Sequence, residues 1–149
     1  FLVCESGADI AASAKDYCNV IPIKTRGDVD VFSIFKIAKI IRRYQPDIIH
    51  VHSRRGVDWY GGLAAKLTKT PCVLSRRVDN PEGRWTTRRK YGLYDKTVAI
   101  SQGIADVLIA QGLSQSSLRV IHSAIDTSVY DQKYDKKTLL DIFNLPQDA

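Results

Sequence analysis

His50 and His52 stand two residues apart in the run Asp47-Ile48-Ile49-His50-Val51-His52-Ser53, an apolar strand sequence that ends in polar chemistry. An imidazole changes charge near neutral pH and can donate a hydrogen bond to a ligand. Residues two apart on a strand share a face, so both rings look the same way. A strand that ends near Val51 leaves His52 free to reach a ligand and keeps His50 in the wall. The next turn, Ser53-Arg54-Arg55-Gly56, opens a helix. Backbone amides at such a helix start can hold an anion, and arginine adds paired hydrogen bonds. The competing reading of Arg54 and Arg55 is plain surface charge. A zinc site on the two histidines lacks support, because neither Cys72 nor Asp79 falls at a ligand spacing.

Other candidates follow along the chain. Arg76 and Arg77 leave a second strand at the same edge, so one points toward a ligand there and its neighbour away; Arg77 is the choice for the ligand side. Ser101 reads as a helix cap rather than a ligand contact. In Arg84-Trp85-Thr86-Thr87-Arg88-Arg89-Lys90 a single aromatic sits among basic residues. Trp85, Arg84, Arg88, Arg89 and Lys90 are candidates for contact with an anionic partner or a membrane surface. The alternative is a solvated helix with Trp85 packed inward.

Alternating elements must position these groups. Phe1 to Cys4 reads as a strand, 8–15 as a short helix and Asn19 to Ile23 as a second strand. From Asp30 to Tyr44, Ile34, Ile37, Ala38 and Ile41 line one helical face and Lys36, Lys39 and Arg43 the other, with Asp28 or Asp30 as cap and Pro46 as stop. After the His50 strand, a helix places Tyr60, Leu63, Ala64 and Leu67 on one stripe. Its Gly61-Gly62 pair costs about 1 kcal/mol per glycine, so close packing or a nearby ligand is the motive. Strands at 72–75, 96–100 and 118–121 alternate with helices at 84–94 and from Ser101 to Gly112. The pattern predicts a Rossmann-like α/β fold, a parallel sheet with helices on both faces. Residues 1–130 form the expected domain, and 131–149 a linker with a short amphipathic helix.

Bulk properties narrow the partners. A chain of 149 residues, 44% hydrophobic and 26% charged, can bury a single core. No run approaches the roughly 18 apolar residues of a membrane span. Three scattered cysteines argue for a reducing compartment rather than a disulfide framework. A net charge of +6, concentrated in arginine pairs, fits phosphorylated substrates, anionic headgroups or nucleic acid. Nucleic acid is the less expected of these, because Trp85 is the only aromatic inside a basic run and a stacking platform needs several.

The motifs in order are Arg43-Tyr44-Gln45-Pro46-Asp47-Ile48-Ile49-His50-Val51-His52, then Pro71-Cys72-Val73-Leu74-Ser75-Arg76-Arg77, then Val98-Ala99-Ile100-Ser101, then Val120-Ile121-His122-Ser123-Ala124-Ile125-Asp126-Thr127-Ser128-Val129-Tyr130. Together they resemble the N-terminal domain of glycosyltransferase family 4, retaining enzymes of GT-B architecture, in its bacterial lipopolysaccharide or capsule type. The family usually has Asn and Gly where this chain has Ser123 and Ala124, so no role is carried over from those two positions. The resemblance implies a domain lacking its first strand and glycine-rich loop, inactive alone, completed by a C-terminal donor-binding domain. It implies transfer of a sugar from a nucleotide sugar, used as substrate, to an envelope saccharide or an anionic, lipid-linked acceptor, without metal or cofactor. It places His52 against the transferred sugar or the donor phosphates; Ser53, Arg54, Arg55 and Arg77, from their place at the strand ends, and Trp85, Arg88 and Arg89, from the basic helix, are the candidate substrate contacts beside it. A cytoplasmic protein, peripheral at the inner membrane face, is implied. The alternatives are a nucleotide-sugar epimerase of the same architecture and a non-catalytic basic Rossmann-like binding module.

Overall fold

The structure, a computed structural model, describes residues 1–27, 30–52, 56–130, 136–143 and 146. Among them β1 (Leu2–Glu5), α1 (Asp9–Ala14) and β2 (Val20–Ile23) make a βαβ unit, with β1 and β2 parallel. Helix α2 (Phe32–Tyr44) leads into a second ladder, β3 (Ile49–Val51), β4 (Cys72–Arg76), β5 (Lys96–Ala99) and β6 (Leu118–Val120). These four strands are parallel and lie side by side in chain order, joined by α3 (Val57–Thr68), α4 (Arg84–Tyr91) and α5 (Gln102–Ala110). A short α6 (Lys136–Ile142) follows.

Helix starts and stops follow local chemistry. Asp30 accepts from the Phe32 amide at 3.1 Å and the Ser33 hydroxyl at 3.1 Å at the head of α2, while Asp28 lies outside the described residues. Gln45 ends α2 in a left-handed conformation just before Pro46. At α5 the Ser101 hydroxyl oxygen accepts from the Ile104 amide at 3.3 Å, which is the expected cap. Helix α4 stops at Tyr91, three residues short of the expected Tyr94, with Gly92 as its C-cap.

Val51, Leu74, Ala99 and Leu118 bring one face of the four strands into a shared core with Ala65 of α3, Tyr91 of α4 and Ile104, Ala105 and Leu108 of α5. Successive right-handed crossovers that step in one direction put their helices on the same face, and this core fits that rule. A second cluster joins Ala38 and Ile41 of α2 to Ala64 of α3, with Ile34 and Ile37 beside it, as the periodicity of α2 predicts.

The expected stripe on α3 needs correction. Tyr60 and Ala64 are buried, but Leu63 and Leu67 are exposed. The buried surface is instead Tyr60, Gly61, Gly62, Ala64 and Ala65. Wedged between α2 and the sheet, α3 needs small residues on two sides, and its leucines fall on the face left over. Close packing is the motive for the glycine pair: a Cβ on Gly61 would lie 2.9 Å from Val51 Cγ2, and one on Gly62 would lie 2.8 Å from Leu93 Cβ.

Gly62→Val is therefore expected to lose about 1–3 kcal/mol of stability through overpacking. Gly103→Ala, in a helical position with nothing within 4 Å of the new methyl, is expected to lose none. Urea unfolding of the two variants checks this; similar midpoints for both would contradict the packing described.

Candidate functional site

The carboxyl ends of β3, β4 and β5 meet at one edge, where ligands bind in open α/β sheets. His50 leaves β3 with its Nε2 sharing a hydrogen bond of 2.8 Å with Ser75 Oγ of β4. Its ring lies against that of His52, with centroids 3.8 Å apart. His50 is thus a support held by a neighbouring strand, although its ring keeps solvent access and is not sealed in a wall. His52 lies just past β3 on a small pocket of about 50 Å³, lined also by Asp58, Leu74, Ser75, Arg76, Arg77 and Val78.

Both imidazoles titrate below their ordinary value of 6.5, through partial desolvation. For His52 the neighbouring His50 and the positive charge of Arg77 push the same way. Both shifts favour the neutral ring, in which His52 can donate a hydrogen bond from one nitrogen and accept at the other.

The arginine pair divides as the alternation predicts. Arg76 is buried and structural: its Nε donates to Val78 O at 2.9 Å, its Nη2 to Asn80 O at 2.7 Å and its Nη1 to Glu82 Oε1 at 2.9 Å. One guanidinium thereby shapes the loop 77–83. Arg77 is exposed and lines both the small pocket and a wider opening of about 580 Å³ bounded by Val78, Asp79, Asn80, Ser101, Gly103, Ile104 and Val107. Ser101 is thus a cap that also borders the opening.

Two residues that sequence reasoning passed over, Asp58 and Glu82, and one that it placed on the wrong face, Lys90, hold this edge together. Lys90, expected on a basic outer face, is 3% exposed and points inward. Its Nζ meets Asp58 Oδ2 at 2.8 Å and Glu82 Oε1 at 2.5 Å. With Arg76 on the same Glu82 oxygen, two cations and two carboxylates form one chain from β4 through the loop and α4 to the start of α3. The signal was present, because Thr87, Lys90, Tyr91 and Tyr94 repeat at helical spacing and all four are buried.

The other basic residues of the segment and Trp85 face solvent. Trp85 is 68% exposed, which removes the inward-packed alternative, and the Arg89 guanidinium lies 5.2 Å from its ring centre. Arg84 and Arg88 are exposed beside Gly112. Ser53, Arg54 and Arg55 lie outside the described residues. Gly56, the N-cap of α3, has a φ of 88°, a conformation that glycine adopts without steric cost.

Residues 2–129 match Glycosyltransferase Family 4. Among solved structures, the fold is similar to that of a glycosyltransferase from Rickettsia africae, at 18% identity over 96% of this chain and a TM-score of 0.75. It is also similar to Anabaena HepE in complex with UDP and glucose (14%, 95%, 0.70) and to UDP-N-acetylglucosamine 2-epimerase from Rickettsia bellii (12%, 98%, 0.65). The chain spans 41%, 41% and 44% of those three proteins. No curated protein matches it. At these identities the likeness is one of fold, the Rossmann-like half of a GT-B architecture.

Because Arg77 helps hold His52 neutral, Arg77→Gln is expected to move the His52 titration midpoint upward, toward 6.5. Histidine NMR across pH 4 to 8 reads this directly. An unmoved midpoint would mean that the two charges do not sense each other.

Proposed function

The chain belongs to Glycosyltransferase Family 4, and from that premise we propose that it is the acceptor-side half of a retaining enzyme that moves a sugar from a nucleotide sugar to an envelope saccharide or lipid-linked acceptor. The observation that carries this reading is the placement of His52 and Arg77 together on a small pocket that adjoins a wider opening. A sugar ring beside His52 would leave the opening for a charged or extended group.

In transfer, the bond between the anomeric carbon and the leaving phosphate oxygen breaks, a bond to an acceptor hydroxyl oxygen forms, and the proton of that hydroxyl passes to the departing phosphate oxygen. Positive charge develops on the ring and negative charge on the leaving group. Catalysis depends on polar groups already aimed at those charges. His52 is suited to fix the ring by hydrogen bonding, and the Arg77 guanidinium to meet an anionic group through paired bonds. The remainder of the enzyme would supply the opposite wall, so closure of the cleft excludes water and completes the site. The fragment alone is expected to be inactive.

Epimerisation of a nucleotide sugar is the second reading, because the fold is also that of the Rickettsia bellii epimerase. The family match favours transfer. On the outer side of α4, exposed Arg84, Trp85, Arg88 and Arg89 suit an anionic acceptor or the anionic inner face of a membrane. No helix among the described residues is long and apolar enough to cross a membrane.

In the complete protein, His52→Ala is expected to lower kcat by about 100-fold, the scale for one lost donor in a preorganised site. Its melting temperature should hold, since the side chain is exposed. Unchanged turnover would remove His52 from the site. For α4, co-sedimentation with vesicles should rise with anionic lipid and fall in Trp85→Ala/Arg89→Gln; equal recovery on neutral and anionic vesicles would exclude a charged membrane contact.

A further inference from the structure

The small pocket holds a polar group that the structure leaves unanswered. Asp58, the second residue of α3, is 4% exposed, and its Oδ2 is taken by Lys90. Its Oδ1 is buried and has no hydrogen-bond partner among the described residues. Lys90 holds the carboxylate from one side, and the Tyr94 hydroxyl donates to the backbone carbonyl of Asp58 from another. Lys90 is itself tied to Glu82, and Glu82 to Arg76.

Leaving a charged oxygen buried and unpaired costs folding free energy, and such a group calls for an explanation. Asp58 lines the same pocket as His52, Ser75 and Arg77. The pocket's chemistry is selective. A carboxylate oxygen can only accept, so it repels a phosphate or carboxylate and rewards a donor. A volume of about 50 Å³ has room for water-sized groups, so a hydroxyl fits. Lys90 already offsets the negative charge of Asp58, so a neutral donor is preferred to a cation.

We propose that Asp58 is a specificity-determining residue whose Oδ1 accepts a hydrogen bond from one hydroxyl of the sugar that lies against His52. The inference rests on the glycosyl-transfer reading for the identity of the ligand as a sugar. It adds that anionic groups belong on the Arg77 side, toward the wider opening, and that a ring hydroxyl enters the small pocket. A sugar lacking that hydroxyl leaves the buried oxygen unpaired, which is the condition under which sites discriminate most strongly.

The test uses the full-length protein and the nucleotide sugar it turns over, found by screening UDP-, GDP- and ADP-linked sugars. Asp58→Asn is expected to lower kcat/KM by about 10- to 100-fold, the scale of a hydrogen bond to a charged group. On one member of the deoxy-sugar series, the one lacking the contacted hydroxyl, that loss should largely vanish. Unchanged turnover in Asp58→Asn, or an equal loss on every deoxy analogue, would overturn the assignment while leaving the transfer reading intact. A second measurement covers a variant that fails to fold and a protein that transfers no sugar. In the wild type, methyl α-D-glucopyranoside should shift the Asp58 carboxyl carbon resonance, and inorganic phosphate should shift Arg77 instead. No shift at Asp58 with the glucoside would overturn the assignment, whereas a shift without turnover would sustain it and remove the transfer reading.

Discussion

The buried chain of charges Arg76–Glu82–Lys90–Asp58 is the constraint on which the cleft edge depends. Each of these groups is costly to take out of water, and mutual attraction repays the cost only when geometry and hydrogen bonding are good. Here they are: Arg76 adds two backbone carbonyls to its carboxylate, and Lys90 reaches two carboxylates at once. Two positive and two negative groups leave the cluster neutral. Its members come from a strand end, a loop, one helix and the first turn of another. Losing one would free all four elements at the point where the site is built.

Such a network is weak evidence for stability but can enforce geometry. The core that Val51, Leu74 and Ala99 share with α3, α4 and α5 could tolerate other apolar residues of similar volume, whereas the network accepts one placement. Around that fixed frame the cleft-facing groups stay open to solvent. His52 and Arg77 are exposed, and His50 is steadied by Ser75 rather than sealed. Rigid support beneath accessible polar groups is what binding and preorganised catalysis require.

Much of this was legible in the residues. Strand and helix order, the cap at Ser101, the division between Arg76 and Arg77 and the supporting place of His50 follow from alternation, capping and side-chain direction. The stripe of α3 was misread because large apolar residues were taken as the buried ones. A helix packed on two sides selects for glycine and alanine, so Leu63 and Leu67 face out. Lys90 was misread for a different reason. A basic residue in a basic run resembles its neighbours, and only its fit to the Thr87–Tyr91–Tyr94 stripe marks it as inward. Asp58 had no local signal at all, since its partner lies 32 residues away and the meaning of its free oxygen depends on a pocket made by two strands.

A crystal structure of the complete protein with a nucleotide sugar that it cannot transfer is the most direct examination of this edge as the sugar site. The expected density places the sugar ring at the end of β3, with hydroxyls in hydrogen-bond reach of His52 and Asp58 Oδ1 and the phosphates on the Arg77 side. A ring bound away from these residues, or a phosphate seated in the small pocket, would contradict it.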